Sequence, residues 1–175
     1  MERLVLVRLD ANYCNYLRKI DNIVPYNYNE KELRPYVGVL FKVKDFYYYV
    51  PLTSPKKKHI EMHSTLDFLK IDNGVLGAIN FNNMVPVLEN NIEILDLDII
   101  DINKIETRYC KLLRKQLYWI NRNDSQVRNR AISMYQKYIN NKLSPNIRKR
   151  CCNFKLLEEK CLEYNKNIVK ETVNN

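Results

Sequence analysis

Apolar residues recur along this chain at two different periods, and the change from one to the other falls after residue 101. Before it the runs are short and rich in Val, Ile, Tyr and Phe, which is the pattern of β-strands. Residues 3–8 (RLVLVR) predict an opening strand, and Asp10 can cap a short helix over 11–20 with Tyr13, Tyr16, Leu17 and Ile20 on one face. A polar loop, VPYNYNEKELR, holds the basic residues Lys31 and Arg34. From Pro35, PYVGVLFKV and FYYYVPLT flank Lys44-Asp45 and predict a β-hairpin, whose second strand is expected to stop at Pro51-Leu52. LDFLKI and VLGAINF, on either side of Asp72-Asn73-Gly74, predict a second hairpin. MVPVL, demoted to an edge or a strand end by Pro86, and NIEILDL complete about six short antiparallel strands.

After the change of period, Ile105, Tyr109, Leu112, Leu113, Leu117 and Ile120 recur at helical spacing over 104–121, with Lys104, Arg108, Lys111, Lys115 and Arg122 on the opposite face. Asp124 or Ser125 can cap a second helix lined by Val127, Ala131, Met134, Tyr135 and Tyr138. Ser144-Pro145 opens a short basic turn containing Arg148, Lys149 and Arg150. Asn153 can cap a last helix that buries Phe154, Leu157, Cys161 and Tyr164, and the polar tail over 166–175 is expected to fray. The pattern as a whole is one α+β domain over 1–175, a twisted antiparallel sheet with helices packed on it.

Charge narrows the partner. Lysine and arginine exceed the acidic residues by nine, which points to a polyanion and most often to nucleic acid. No stretch reads as a membrane span, an amphipathic or lipidated anchor or a signal peptide, so a cytoplasmic protein is expected. Five cysteines without a CxxC read as reduced thiols. Thirteen tyrosines against five phenylalanines suit a core with polar tips, and those in the loop, Tyr26 and Tyr28, suit stacking on bases.

The densest candidate chemistry lies in YYYVPLTSPKKKHIEMH, Tyr47 to His63. Thr53, Ser54 and Lys56 fall where a strand meets a turn, so two hydroxyl donors and a cation can converge on one phosphate. From these residues alone, turn chemistry and a solvated lysine loop are the leading reading, with the phosphate site as the alternative. The loops over 26–34 and 53–59 are expected at the same edge of the first hairpin. His59 reads as a solvated histidine with a general-base role as the alternative, and Asp96, Asp98 and Asp101 read as capping residues, with no metal site expected. Residues alone therefore reach a basic domain that binds nucleic acid, with RNA as a candidate, and a hydroxyl–lysine site on a sheet edge, and leave open whether it cuts.

Taken together, KIDNIVPYNYN, RPYVGV, PLTSPKKKH, GVLGAINFNNMVPV, ILDLDI, LLRKQLYWI and CNFKLLEEK resemble, in order, the ToxN/AbiQ family of toxins from type III toxin–antitoxin systems. The resemblance implies a strongly twisted sheet of Kid/MazF type and a metal-independent endoribonuclease needing no cofactor. Such an enzyme cuts by attack of the neighbouring 2′-hydroxyl, leaving a 2′,3′-cyclic phosphate and a 5′-hydroxyl. It implies cellular or phage mRNA as substrate, phage defence by abortive infection, and inhibition by a repeated pseudoknot RNA that the toxin itself excises. Neither a membrane nor DNA has a role. Matched residue by residue, Thr53, Ser54 and Lys56 fall on the family's active-site string, Arg34 on its further basic residue, and Tyr28, or else Tyr26, on its loop tyrosine. Lys31, Lys57, Lys58, His59, Lys104, Arg108, Lys111, Lys115, Arg148, Lys149 and Arg150 are the expected RNA contacts. A basic RNA-binding protein without catalysis is the alternative.

Overall fold

The computed structural model describes residues 3–25, 35–38, 40–95, 97 and 108–173. The segment carrying Tyr26, Tyr28, Lys31 and Arg34, and that carrying Asp96, Asp98, Asp101 and Lys104, lie outside the described residues. In chain order the elements are β1 (Val5–Leu9), α1 (Ala11–Ile20), β2 (Tyr36–Gly38), β3 (Lys42–Val43), β4 (Phe46–Thr53), α2 (Lys57–Glu61), β5 (Phe68–Lys70), β6 (Ala78–Asn80), β7 (Val85–Val87) and β8 (Ile92–Ile94). Four helices follow: α3 (Arg108–Arg122), α4 (Asp124–Ile139), α5 (Pro145–Lys149) and α6 (Phe154–Val173).

The strands form one open antiparallel sheet in the order β5-β6-β4-β2-β1-β8, with β3 and β7 also paired to β4. Eight strands are therefore described where about six were expected, because the first hairpin breaks into β2 and β3 and because short pieces such as β7 do pair. Pro51 does not end β4. Leu52 donates its N–H to the Pro35 carbonyl at 3.0 Å, on the β2 side. Alternation along a strand then turns the nitrogen of Pro51 to the other edge. There β7 pairs only with Tyr47–Tyr49 and β6 only with Leu52 and Thr53, so the missing N–H falls in a gap between partners.

Helices cover the sheet through the faces that the apolar spacing predicts. In α1, Asp10 accepts from the Tyr13 N–H at 2.7 Å, and Tyr13, Cys14 and Leu17 are buried. In α4 all five expected residues, Val127, Ala131, Met134, Tyr135 and Tyr138, are buried. Its cap position is Asn123, and Asp124 instead pairs with Arg128 at 2.5 Å one turn on. In α3 Tyr109 is exposed, while Gln116 is buried and donates to the Leu76 carbonyl at 2.6 Å. The last helix spans Phe154–Val173, with Asn153 accepting from the Leu156 N–H at 3.3 Å.

Tyrosines fill the interior, and Glu158 of α6 with Asn153 just before it accepts from three of their hydroxyls. Tyr48 and Tyr135 both donate to Glu158 Oε1, at 2.7 and 2.8 Å, and Tyr138 donates to Asn153 Oδ1 at 2.6 Å. Their rings meet Phe154 at centroid distances of 4.7–6.0 Å, in the range where aromatic pairs add to simple burial. Burial, followed by the charge of Glu158, pushes the Tyr48 hydroxyl well above its ordinary range, so it stays a donor. The five cysteines are buried free thiols. Among the described residues no helix is long and apolar enough to cross a membrane.

Candidate active-site cleft

Thr53 is the last residue of β4 and pairs with Ala78 of β6, so the end of the strand is clamped before the chain turns away. Two local constraints fix it further. Asn80 Nδ2 donates to Thr53 Oγ1 at 2.8 Å, which orients the hydroxyl and leaves its own proton free to be donated. Gly77, at φ +105°, lies so close that a Cβ there would stand 2.0 Å from the Thr53 carbonyl oxygen.

After Ser54-Pro55-Lys56 the chain forms α2, where a solvated loop was expected. This single turn owes little to propensity and much to docking. The His59 N–H bonds the Lys56 carbonyl at 2.9 Å, and the His59 ring packs edge-on against Phe68. On its other side α2 rests on the 72–74 turn, where a Cβ at Gly74 would come within 2.4 Å of the His59 carbonyl oxygen. His59 is consequently buried, at 2% exposure, and is not the solvated histidine expected. Burial, then the charges of Lys56 and Lys58, lower its pKa, so it is held neutral. Its Nδ1 is buried without a hydrogen-bond partner. His63 lies beyond the helix end and is exposed.

Thr53, Lys56, His59, Asp67, Asn80 and Arg150 line one cleft of about 450 Å³. Lys58 lines it as well, so its cations outnumber its single carboxylate. Ser54 and Lys57 are exposed next to these residues and are not among the described residues that line it. Sequence reasoning missed Asp67 and Asn80 altogether and placed Arg150 elsewhere. Asp67 is 3% exposed and accepts from Thr65 Oγ1 at 2.8 Å, and from Arg150 through Nε at 2.7 Å and Nη2 at 3.1 Å. Burial alone would raise its carboxyl pKa, but the hydrogen bonds from Arg150 and Thr65 prevail and hold it below its ordinary value.

The remaining expected contacts separate. Arg148 stacks over the Tyr138 ring at 3.9 Å, Lys149 is exposed, and Arg150 turns to Asp67, so the three consecutive basic residues face different partners. Arg108, Lys111 and Lys115 are exposed along α3. Among the described residues no group of three or more His, Cys, Asp or Glu is placed to hold a metal ion.

Residues 5–162 match the family model described as Toxin ToxN, type III toxin–antitoxin system. The endoribonuclease ToxN of Bacillus thuringiensis subsp. kurstaki is 34% identical over 161 residues, covering 89% of this chain and 81% of the relative. A type III toxin structure described for selective inhibition by a non-coding RNA pseudoknot superimposes with a TM-score of 0.77 at 30% identity, over 94% of this chain and 99% of the other. The structure of AbiQ, a lactococcal anti-phage endoribonuclease of the same type of system, superimposes with a TM-score of 0.78 at 29% identity, over 94% and 99%.

Proposed function

The chain belongs to the ToxN family of type III toxin–antitoxin toxins, and we propose that its cleft cuts RNA by in-line attack of a 2′-hydroxyl on the adjacent phosphorus. It is an endoribonuclease, acting on mRNA and on the precursor of a structured antitoxin RNA whose processed product then occupies and inhibits it. Growth arrest and phage defence by abortive infection follow from that activity. We place it in the bacterial cytoplasm, where its substrates are, as a single catalytic domain over 1–175.

One observation carries the mechanism: a hydroxyl fixed by an amide, Thr53 to Asn80 at 2.8 Å, shares a cleft with Lys56. In the reaction the 2′-oxygen bonds to phosphorus as the bond to the 5′-oxygen breaks. The 2′-hydroxyl gives up a proton and the leaving 5′-oxygen gains one, leaving a 2′,3′-cyclic phosphate and a 5′-hydroxyl. Negative charge grows on the phosphoryl oxygens at the transition state, and donors aimed at it stabilise that state more than the substrate. Thr53 donates from the strand end and Ser54 from the turn, while Lys56 supplies charge, and by the family match Arg34 is the second cation and Tyr28, or else Tyr26, the site tyrosine. Holding the nucleophile in line contributes as well, since orientation is worth about 7–11 kcal/mol in well-aligned reactions.

Lys56 is exposed, so Lys56→Ala is expected to abolish growth arrest and RNA cleavage while leaving the unfolding midpoint unchanged. Thr53→Ala and Ser54→Ala are expected to slow cleavage by about 10²–10³, as loss of one aimed donor does. Wild-type cleavage is expected to persist in excess EDTA and to leave 5′ ends that cannot be ligated without prior phosphorylation. Inhibition by the chelator that Mg²⁺ reverses would sink the internal-nucleophile mechanism. Tandem repeats followed by a terminator just upstream of the reading frame would supply the antitoxin.

A further inference from the structure

We infer that Arg150, held in place by Asp67, binds a backbone phosphate of the RNA next to the one that is cut. The inference rests on the endoribonuclease reading and adds a residue to it that lies 83 positions from its orienting partner. The pair is lopsided in exposure: the Arg150 side chain is 53% exposed and that of Asp67 only 3%. Its geometry is a two-point fork, Nε to Oδ2 at 2.7 Å and Nη2 to Oδ1 at 3.1 Å, which fixes the plane of the guanidinium. The main chain at Arg150 is fixed too, because Asn82 Nδ2 donates to its carbonyl at 2.7 Å and its own N–H reaches the Ile147 carbonyl at 3.2 Å.

A guanidinium carries five N–H donors, and this fork uses two. The other three are borne by a half-exposed group on the wall of the cleft that holds Thr53 and Lys56. Stability does not explain the arrangement well, since a buried carboxylate with an exposed arginine is a weak source of it, and an apolar pair would serve as well or better. What such a pair supplies is orientation. Arg150 is also the member of Arg148-Lys149-Arg150 that lines the cleft, Arg148 being stacked on Tyr138. A planar, pre-oriented, cationic donor set facing a basic cleft matches a phosphate oxygen pair. Lys56 already accompanies Thr53 at the strand end, so the phosphate at Arg150 is a flanking one.

The test measures binding of a short single-stranded RNA on a Lys56→Ala background, so that the RNA stays whole, across a range of salt. Arg150→Gln is expected to weaken binding about ten- to a hundredfold and to lower the slope of log affinity against log salt by about 0.7, the value for one phosphate of a single strand. Arg150→Lys is expected to keep the slope but not the full affinity, because an ammonium cannot make the fork. Asp67→Asn combined with Arg150→Gln removes both charges, and the defect is expected to persist. Recovery of wild-type affinity in that double variant would mean that the single variant merely unmasked the Asp67 charge, and the inference fails. An unchanged slope and affinity in Arg150→Gln reduces the pair to a clasp between α5 and β5. Single methylphosphonates along the RNA test the same point on the unaltered Arg150 side chain. One flanking position is expected to weaken binding, and its absence overturns the inference even if no Arg150 variant folds. Cleavage by wild-type protein is scored separately. RNA binding with the expected slope change but no cleavage would sink the nuclease reading and leave this phosphate site standing.

Discussion

His59 shows what burial, reinforced by neighbouring like charges, does to a titratable group. Its imidazole is packed against Phe68 with Lys56 and Lys58 nearby, and both burial and those charges oppose protonation. The unfolded chain, with an ordinary histidine, therefore takes up a proton at a pH where the folded protein does not. A lowered folded pKa means that the stability is fully present above the unfolded value, about pH 6.5, and is lost as pH falls through the folded one. Urea midpoints measured from pH 8 down to pH 5 are expected to fall below about pH 6.5, and His59→Leu is expected to flatten the profile in that window. An unaltered profile in the variant would assign the loss to other groups. Asp67 also has a depressed pKa, but as a carboxyl it acts only below about pH 4, so the two contributions separate on the pH axis.

At the scale of elements, the end of β4 is positioned by a relay from α3. Gln116 of α3 donates to the Leu76 carbonyl, Gly77 follows with φ +105°, and the Gly77 Cα lies against the Thr53 carbonyl. Gly77→Ala would press a methyl group on backbone rather than on a yielding side chain. It is expected to lower kcat of RNA cleavage by displacing Thr53 and to destabilise the fold by about 1–3 kcal/mol. Unchanged cleavage by the folded variant would show that the strand end tolerates the shift. Elements such as α1 and α4 were legible in sequence because their faces are set by neighbours three and four residues away. The two hairpins announced themselves through Lys44-Asp45 and Asp72-Asn73-Gly74. By contrast, α2 has five residues and no apolar repeat, and it exists because His59 docks between Phe68 and the 72–74 turn. Nothing local in LDF or KRC announces that Asp67 and Arg150 will meet, nor that Asn80 will hold Thr53.

Across the whole molecule, positive charge is placed in two tiers. The cleft holds Lys56, Lys58 and Arg150, and the exposed face of α3 carries Arg108, Lys111 and Lys115 outside it. A short scissile segment needs the first tier, while a folded antitoxin RNA has phosphates enough for both. Reversing Lys111 and Lys115 together is expected to reduce affinity for the antitoxin RNA and its salt slope far more than cleavage of a short oligonucleotide. Cells carrying that variant are then expected to arrest even with the antitoxin RNA present. A loss of short-substrate cleavage with neutralisation intact would assign the stripe to substrate instead. The same cleft draws its walls from residues as far apart in the chain as Thr53 and Arg150. A ribosome supplies about 5–20 residues each second, N-terminus first. Thr53 and Lys56 thus leave the tunnel several seconds before Arg150 can reach Asp67, and the enzyme is assembled in time as well as in space. For most of its own translation the nascent chain therefore holds only part of this RNA site.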